Sequence, residues 1–364
     1  MSRLSLILFA LAASAGAIAN DDHPFVSEPI AEFDQPWAMA FLPDGRLLVT
    51  EKPGRLFLVD TGGGKVEVSG VPNVDYGGQG GFGDVALHPD FEQNGLLYLS
   101  YVEAGEDRTR GAVVAVARFD AAAGQPAISE PEVIWRQVPK LGGKGHYGHR
   151  ILFSPDGYLF ISSGERQEFD PAQDMQSNLG KIVRLNDDGS VPGDNPFADR
   201  GGVTAQIWTL GHRNPLGIDF DLEGRLWNTE MGPRGGDELN LVIRGRNYGY
   251  PEVSNGRHYS FLPIPDHDTR PEFEAPKAWW TPVISPGGLL FYSGELFADW
   301  RGDALIPGLS SRALVRVEIE GDSAREAERF DMGKRIRAVQ QGPEGAIWLL
   351  EDGPGGRLLR LTPR

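Results

Sequence analysis

An apolar pair, a turn built on Pro-Asp-Gly or a relative of it, and a strand ending in a polar residue recur six times along the chain. The copies read MAFLPDGRLLVTE (39–51), VALHPDFEQNGLLYLSY (85–101) and ILFSPDGYLFISSGE (151–165), then IDFDLEGRLWNTE (218–230), LLFYSGELFADWRGDALIPG (289–308) and VQQGPEGAIWLLED (339–352). In such a turn Pro presets the backbone of the second position, Asp bonds back to nearby amides and Gly takes the positive φ, so each copy reads as a hairpin. Six hairpins with no convincing amphipathic helix between them predict radial repetition of small antiparallel sheets: an all-β, six-bladed β-propeller. The repeat is too regular for a β-sandwich. No linker interrupts it, so residues 20–364 are expected to form a single domain. Phe41, Phe153, Phe220, Trp227, Phe291 and Trp348, which sit in the hairpins, are expected to pack between blades.

Residues 1–19 stand outside the pattern. Arg3, the apolar run LSLILFALAASAGAI and the small-x-small triplet Ala17-Ile18-Ala19 before Asn20 read as a secretory signal peptide. The expectation is a periplasmic or secreted protein. No later stretch is long and apolar enough to cross a bilayer, so membrane insertion is not expected. Without Cys there is no disulfide, thiolate metal site or Cys nucleophile. A formal charge of -16 argues against nucleic acid or an anionic membrane as partner.

Unusual residues gather in the loops between repeats, where a rigid scaffold presents function. In YGGQGGFGD (76–84), Gln79 is the only long polar side chain among glycines that permit sharp turns or close approach of a ligand. GHYGHR (145–150) carries His146 and His149. As a zinc pair these would need further ligands and a helix to align them. Loop histidines are often structural, yet either could take a proton from a hydroxyl near neutral pH, and Glu165 at the end of the next strand could orient such a base. WTLGHRNPLGIDF (208–220) offers the Arg213 fork beside the Asn214 amide, suited to a carboxylate or to a neighbouring acid. NTEMGPRGGDELNLVIRGRNYGYP (228–251) sets Glu230, Asp237 and Glu238 among glycines and prolines, a mixture of carboxylate and carbonyl oxygens that suits Ca²⁺ or forms a solvated acidic turn. In KRIRAV (334–339), strand alternation places Arg335 and Arg337 on one face. There they either meet solvent and acids or hold a polyanion.

Together these segments resemble the soluble quinoprotein sugar dehydrogenases, in particular the aldose sugar dehydrogenase branch of the glucose/sorbosone dehydrogenase family. GGQGG…DVALHPDF, GHRNP.G, GPRGGDE.N…G.NYG.P and RIRAV..GP.G occur here in the family's order, from about Asp34 to the C-terminus. The resemblance implies pyrroloquinoline quinone (PQQ) across the propeller mouth and His146 as the catalytic base, oriented by Glu165. His149 stands where relatives often have Gly. Gln79, Arg213, Asn214, Tyr259, Arg335 and Arg337 are implied PQQ contacts. Carbonyls of Gly232 and Pro233 are implied for a Ca²⁺ at the quinone, and Glu238 with the Tyr248 carbonyl for a second, structural Ca²⁺. The chain departs from the pattern at Ser310, where relatives place a PQQ-contacting Lys; Arg312 is the residue that could compensate. The implied reaction is oxidation of an aldose at C1 to an aldonolactone, with electrons passed to an external quinone or cytochrome-type acceptor. The same architecture also serves Ca²⁺-dependent lactonases and non-catalytic propellers that bind sugars or proteins, and fold alone does not separate the three.

Overall fold

In a computed structural model, which describes residues 23–121 and 125–364, the chain forms six four-stranded antiparallel sheets, the expected six-bladed β-propeller. Residues 1–19, read above as a signal peptide, lie outside the described ones. Five blades use consecutive strands, within 36–67, 82–136, 148–210, 215–280 and 290–331. The sixth takes three strands from 336–363 and its outermost strand, Phe25–Asp34, from the other end of the chain. This strand pairs antiparallel with Pro354–Pro363, from Phe25 opposite Pro363 to Asp34 opposite Pro354. All six sequence repeats supply the two inner strands of a blade, and the 85–101 copy also holds a short helix, Phe91–Asn94, in its turn.

Each second strand is buried on both faces, which is why the repeats carry continuous apolar runs rather than simple alternation. Leu47 and Val49 pack toward the sixth blade with Trp348 and Leu350, whereas Leu48 between them packs toward the second with Leu97 and Leu99. The hairpin aromatics do the same work at longer reach. Phe41 meets Trp348, Phe153 meets Tyr98, Phe220 meets Phe160 and Trp227 meets Phe291, at 4.9–5.8 Å between ring centres and always across a blade boundary.

Five inner strands slip register near one end of the central channel: between Pro36 and Met39, Phe82 and Val85, Gly148 and Ile151, Pro215 and Gly217, and Ile336 and Ala338. Bulges re-aim side chains and leave ladder groups unpaired. Here the re-aimed residues are Trp37, Asp84, His149, Arg150, Leu216 and Arg337. Hydroxyls on the second strands satisfy the freed amides. Thr50 accepts the Ala38 N–H (3.0 Å) and donates to the Gly83 carbonyl of the next blade (2.7 Å). Ser162 accepts the Arg150 N–H (3.1 Å) and donates to the Pro215 carbonyl (2.8 Å). Ser100 accepts the Asp84 N–H (2.7 Å) and bonds His149 (2.8 Å), and Thr229 donates to the Gly288 carbonyl (3.1 Å). One hydroxyl per blade therefore links four successive boundaries.

The bulge residue Arg150 occupies the axis itself. It donates to Asp84 of the second blade (3.3 Å), to the Leu216 carbonyl of the fourth (2.8 Å) and to the Gly287 carbonyl leading into the fifth (2.5 Å). Its guanidinium lies 3.9 Å from the centre of the Trp37 ring of the first. Ser162→Ala removes both bonds of one hydroxyl and leaves the buried Arg150 amide without a partner. The expected loss is about 1–3 kcal/mol, read as a lower denaturant midpoint with unchanged slope. A midpoint within error of the parent would show that the hydroxyl link is dispensable.

Candidate functional site

At the bulged end the channel opens into two adjoining cavities of about 300 Å³ each. The axial one is lined by Trp37, Lys52, Gln79, His149, Asn214, Arg335, Arg337 and Asp352. The lateral one is lined by His146, Glu165, Phe169, Arg213, Pro233 and Tyr259, among others. A hydrogen bond from the His146 N–H to Gln79 Oε1 (2.8 Å) joins them.

GHYGHR reaches both cavities by turning sharply. His146, Gly148 and His149 have φ of 49°, 64° and 57°, values that cost energy outside Gly and need surrounding structure to hold them. Buried Arg166 provides part of it. Its guanidinium donates to the carbonyls of Gly145 (2.9 Å), Arg110 (2.8 Å) and Gly143, and lies 3.8 Å from the centre of the Tyr147 ring.

The two histidines then part company. His146 Nδ1 bonds Glu165 Oε1, while Glu165 Oε2 accepts the N–H groups of Glu168 (2.7 Å) and Phe169 (3.1 Å). A carboxylate so provided with donors is an acceptor, so Nδ1 carries the proton and Nε2 keeps its lone pair toward the lateral cavity. Burial lowers the His146 pKa below the ordinary value; Glu165 opposes the shift and the Arg213 charge adds to it. The imidazole is thus neutral near pH 7 and able to take a proton. His149 is buried against Trp37, with rings stacked 4.9 Å apart and 15° from parallel, and its Nδ1 bonds Ser100. Burial first, then the Arg150 charge, pushes its pKa down to about 3. The two rings thus have separate partners, and among the described residues no three His, Cys, Asp or Glu side chains converge.

In the axial cavity the amides are held by their oxygens. Gln79 Oε1 takes the His146 N–H, and Asn214 Oδ1 takes the Gly148 N–H (3.2 Å). Backbone N–H groups can only donate, so both amides keep their NH₂ groups as donors on the cavity side, that of Asn214 in a weak 4.0 Å contact with Sδ of Met231, itself a lining residue. Arg335 and Arg337 meet at Asp352, through Arg335 Nε to Oδ2 (2.8 Å) and two Arg337 bonds to Oδ1 (2.9 and 2.7 Å). They do share a side, but through the bulge at Arg337 and the common carboxylate, since the strand begins only at Ile336. Half-buried Lys52 bonds the Gly78 carbonyl (2.9 Å), and burial followed by repulsion from Arg337 lowers its pKa. Lys52, Asp352, Trp37 and the lining role of His149 were not singled out from sequence. A signal existed for the first two: Lys52 and Asp352 directly follow the second strand of a repeat, and Glu165 follows one two residues on.

Arg213 lies between cavities and loop. It donates to the carbonyls of Met231 (2.8 Å) and Gly232 (2.6 Å), contacts the Tyr259 hydroxyl (3.5 Å), and leaves its buried Nε without a partner. Tyr259 is exposed on the rim of the lateral cavity. Asp237 fixes the loop by accepting the N–H groups of Gly232 (2.8 Å), Ile284 (2.7 Å) and Ser285 (2.6 Å). Farther into the fourth blade, Glu230 binds His212 (3.0 Å), and Asn240 donates to both Glu230 (3.1 Å) and Glu238 (3.2 Å) while its own Oδ1 is buried and unpartnered. Burial, then the Glu230 charge, raises the Glu238 pKa well above the usual carboxylate range. The Tyr248 carbonyl accepts from His267 (3.1 Å), and the Tyr248 ring stacks on His212. Ser310 is exposed and bonds the Val283 carbonyl (3.1 Å), and exposed Arg312 is not brought to either cavity.

The Glucose / Sorbosone dehydrogenase family profile matches residues 33–360. Aldose sugar dehydrogenase YliI of Escherichia coli K12 is 38% identical over 340 residues, covering 92% of this chain and 91% of the relative. A crystal structure of the soluble aldose sugar dehydrogenase from E. coli in the apo-form superposes with a TM-score of 0.87 at 38% identity, covering 93% of this chain and 99% of that one. The PQQ-bound aldose sugar dehydrogenase of Streptomyces coelicolor does so at 0.78 and 29% identity, covering 93% and 97%.

The His146 environment has a direct spectroscopic consequence. In the ligand-free protein its imidazole should titrate below 6.5 in histidine NMR spectra, and Glu165→Gln should move the titration lower still, because the carboxylate favours the imidazolium. An upward shift in the variant would show that Glu165 does not govern the protonation of His146.

Proposed function

Because the chain belongs to the glucose/sorbosone dehydrogenase family of quinoprotein-type sugar oxidoreductases, we propose that it oxidises aldoses at C1 to aldonolactones with PQQ and Ca²⁺ and passes the electrons to an external quinone or cytochrome-type acceptor. The observation that carries this reading is the one-sided chemistry of the axial cavity. Gln79 and Asn214 line it with their oxygens already engaged and their NH₂ groups as the remaining donors, and Lys52, Arg335 and Arg337 bring three cations against the single carboxylate of Asp352. Such a lining fits an anionic ligand whose rim is dominated by acceptor oxygens, as that of a tricarboxylic orthoquinone is. In the channel below, the carboxylates of the described residues are engaged by the protein, Asp84 by Arg150 and the Ile151 N–H, and Asp219 by the Phe291 and Phe220 N–H groups, which favours the dehydrogenase over a hydrolase centred there.

When bound, PQQ supplies the electrophilic quinone that receives the hydride from the sugar carbon. His146 accepts the proton of the anomeric hydroxyl at Nε2 as that C–H bond breaks, and Glu165 stabilises the resulting imidazolium through Nδ1. Gln79 couples the two cavities by holding the His146 backbone. Arg213 fixes the 231–233 loop and carries positive charge to the wall of the lateral cavity. For Ca²⁺, the Gly232 carbonyl already faces a cationic group, the Arg213 guanidinium, with Pro233 beside it. Glu238, the Tyr248 carbonyl and the unpartnered Asn240 Oδ1 provide hard oxygen donors for a second ion. Export directed by residues 1–19 would place the reaction outside the cytoplasm. Among the described residues no helix is long and apolar enough to cross a membrane.

With PQQ saturating, His146→Ala should lower kcat by roughly 10²–10⁴ while calorimetry shows PQQ binding retained. An unchanged kcat would remove His146 from the mechanism, and failure of the parent protein to bind PQQ in millimolar Ca²⁺ would remove the dehydrogenase reading. Ca²⁺ should raise Tm through preferential binding to the folded chain, and Glu238→Gln should shrink that rise. Equal shifts in parent and variant would place the ion elsewhere.

A further inference from the structure

His149 has no task in the mechanism above, yet it is built with more constraint than a spacer needs. The residue is only 2% exposed and still forms part of the axial lining. Space for the ring exists because residue 83 is Gly: a Cβ there would lie 1.9 Å from His149 Cε1. The bulge in the third blade turns the residue inward at a positive φ, and Trp37 supports one face of the ring.

The hydrogen bonds fix which nitrogen carries the proton. Ser100 Oγ accepts the Asp84 N–H, a group that can only donate. The buried Ser100 hydroxyl then has one acceptor within reach, His149 Nδ1 at 2.8 Å. With Nδ1 accepting, the hydrogen of the neutral ring is on Nε2, for which the described residues provide no partner.

We propose that His149 is a cofactor-binding residue, donating from Nε2 to an acceptor oxygen of PQQ in the axial cavity. This inference rests on the PQQ reading and adds a third neutral donor to those of Gln79 and Asn214. Each of the three side chains spends its acceptor inside the protein, on the His146 N–H, the Gly148 N–H and the Ser100 hydroxyl, which leaves N–H as the group available to a ligand. The role needs Ser100, Gly83 and Trp37 together, and it is distinct from proton transfer at His146.

Calorimetric titration of the purified full chain with PQQ in millimolar Ca²⁺ tests the idea without turnover. His149→Phe keeps a ring against Trp37 but has no donor, and should bind PQQ about 10- to 150-fold more weakly, the range for a hydrogen bond to a charged acceptor. His149→Gln can accept from Ser100 and donate onward, and should recover most of the affinity. Parent-like binding by His149→Phe overturns the proposal, as does equal weakening in both variants, which would mark a packing role. If His149→Phe does not fold, Ser100→Ala takes its place: with the tautomer unfixed, affinity should fall several-fold, and unchanged affinity overturns the proposal. Absence of PQQ binding by the parent instead refutes the dehydrogenase reading on which the inference stands.

Discussion

A single buried guanidinium, that of Arg150, sets the geometry on which the mouth depends. A charge is taken out of water at tolerable cost when it is paired and hydrogen-bonded, and Arg150 engages groups from the second and fourth blades and the approach to the fifth, with the first-blade Trp37 over its face. Apolar packing fits the blades to one another by shape, and hydrogen bonds to one central fork add direction and length. The neighbours of Arg150 inherit this precision: His149 precedes it, and the strained turn of His146 ends on it.

The same economy governs the cavity above. Polar side chains at the mouth are anchored through their acceptors by backbone N–H groups and a hydroxyl, so orientation and chemistry come from one set of bonds. An amide free to flip would present oxygen or nitrogen indifferently to a ligand. Gln79 and Asn214 cannot do so without leaving a buried N–H unpaired, which costs more than the flip could return. The excess cation charge is likewise confined: Asp352 bridges Arg335 and Arg337, holding both in place while neutralising only one.

Much of the architecture was legible because the repeat writes each hairpin in turn residues and each blade boundary in aromatics. Phe41, Phe153, Phe220 and Trp227 all cross boundaries as read. The closing strand was not legible, since FVSEPIAEFD carries no turn signal and its partner is distant in sequence. The bulges were invisible for a related reason. Alternation fixes a face only while register is kept, and a slipped residue such as Arg337 or His149 points where the period does not. Local spacing did bring together His146 and Glu165, while the coupling of Arg335 to Arg337 through Asp352 needed two strands to be seen at once. Arg312 lines neither cavity, and nearness to Ser310 in sequence says nothing about which way an exposed, left-handed residue points.

Closing the ring with Phe25–Asp34 against Pro354–Pro363 orders events during synthesis and folding. Contacts between such distant segments form late, since the entropy of a very large loop must be overcome before they stabilise anything. Lys52 is contributed by the blade nearest the start and Arg335, Arg337 and Asp352 by the one nearest the end, so their common cavity exists only once the circle is shut. A partly made chain can assemble blades, packing them one on the next, but it has no mouth with which to capture a ligand prematurely. Ligand capture is thereby deferred until the last strand has found its place.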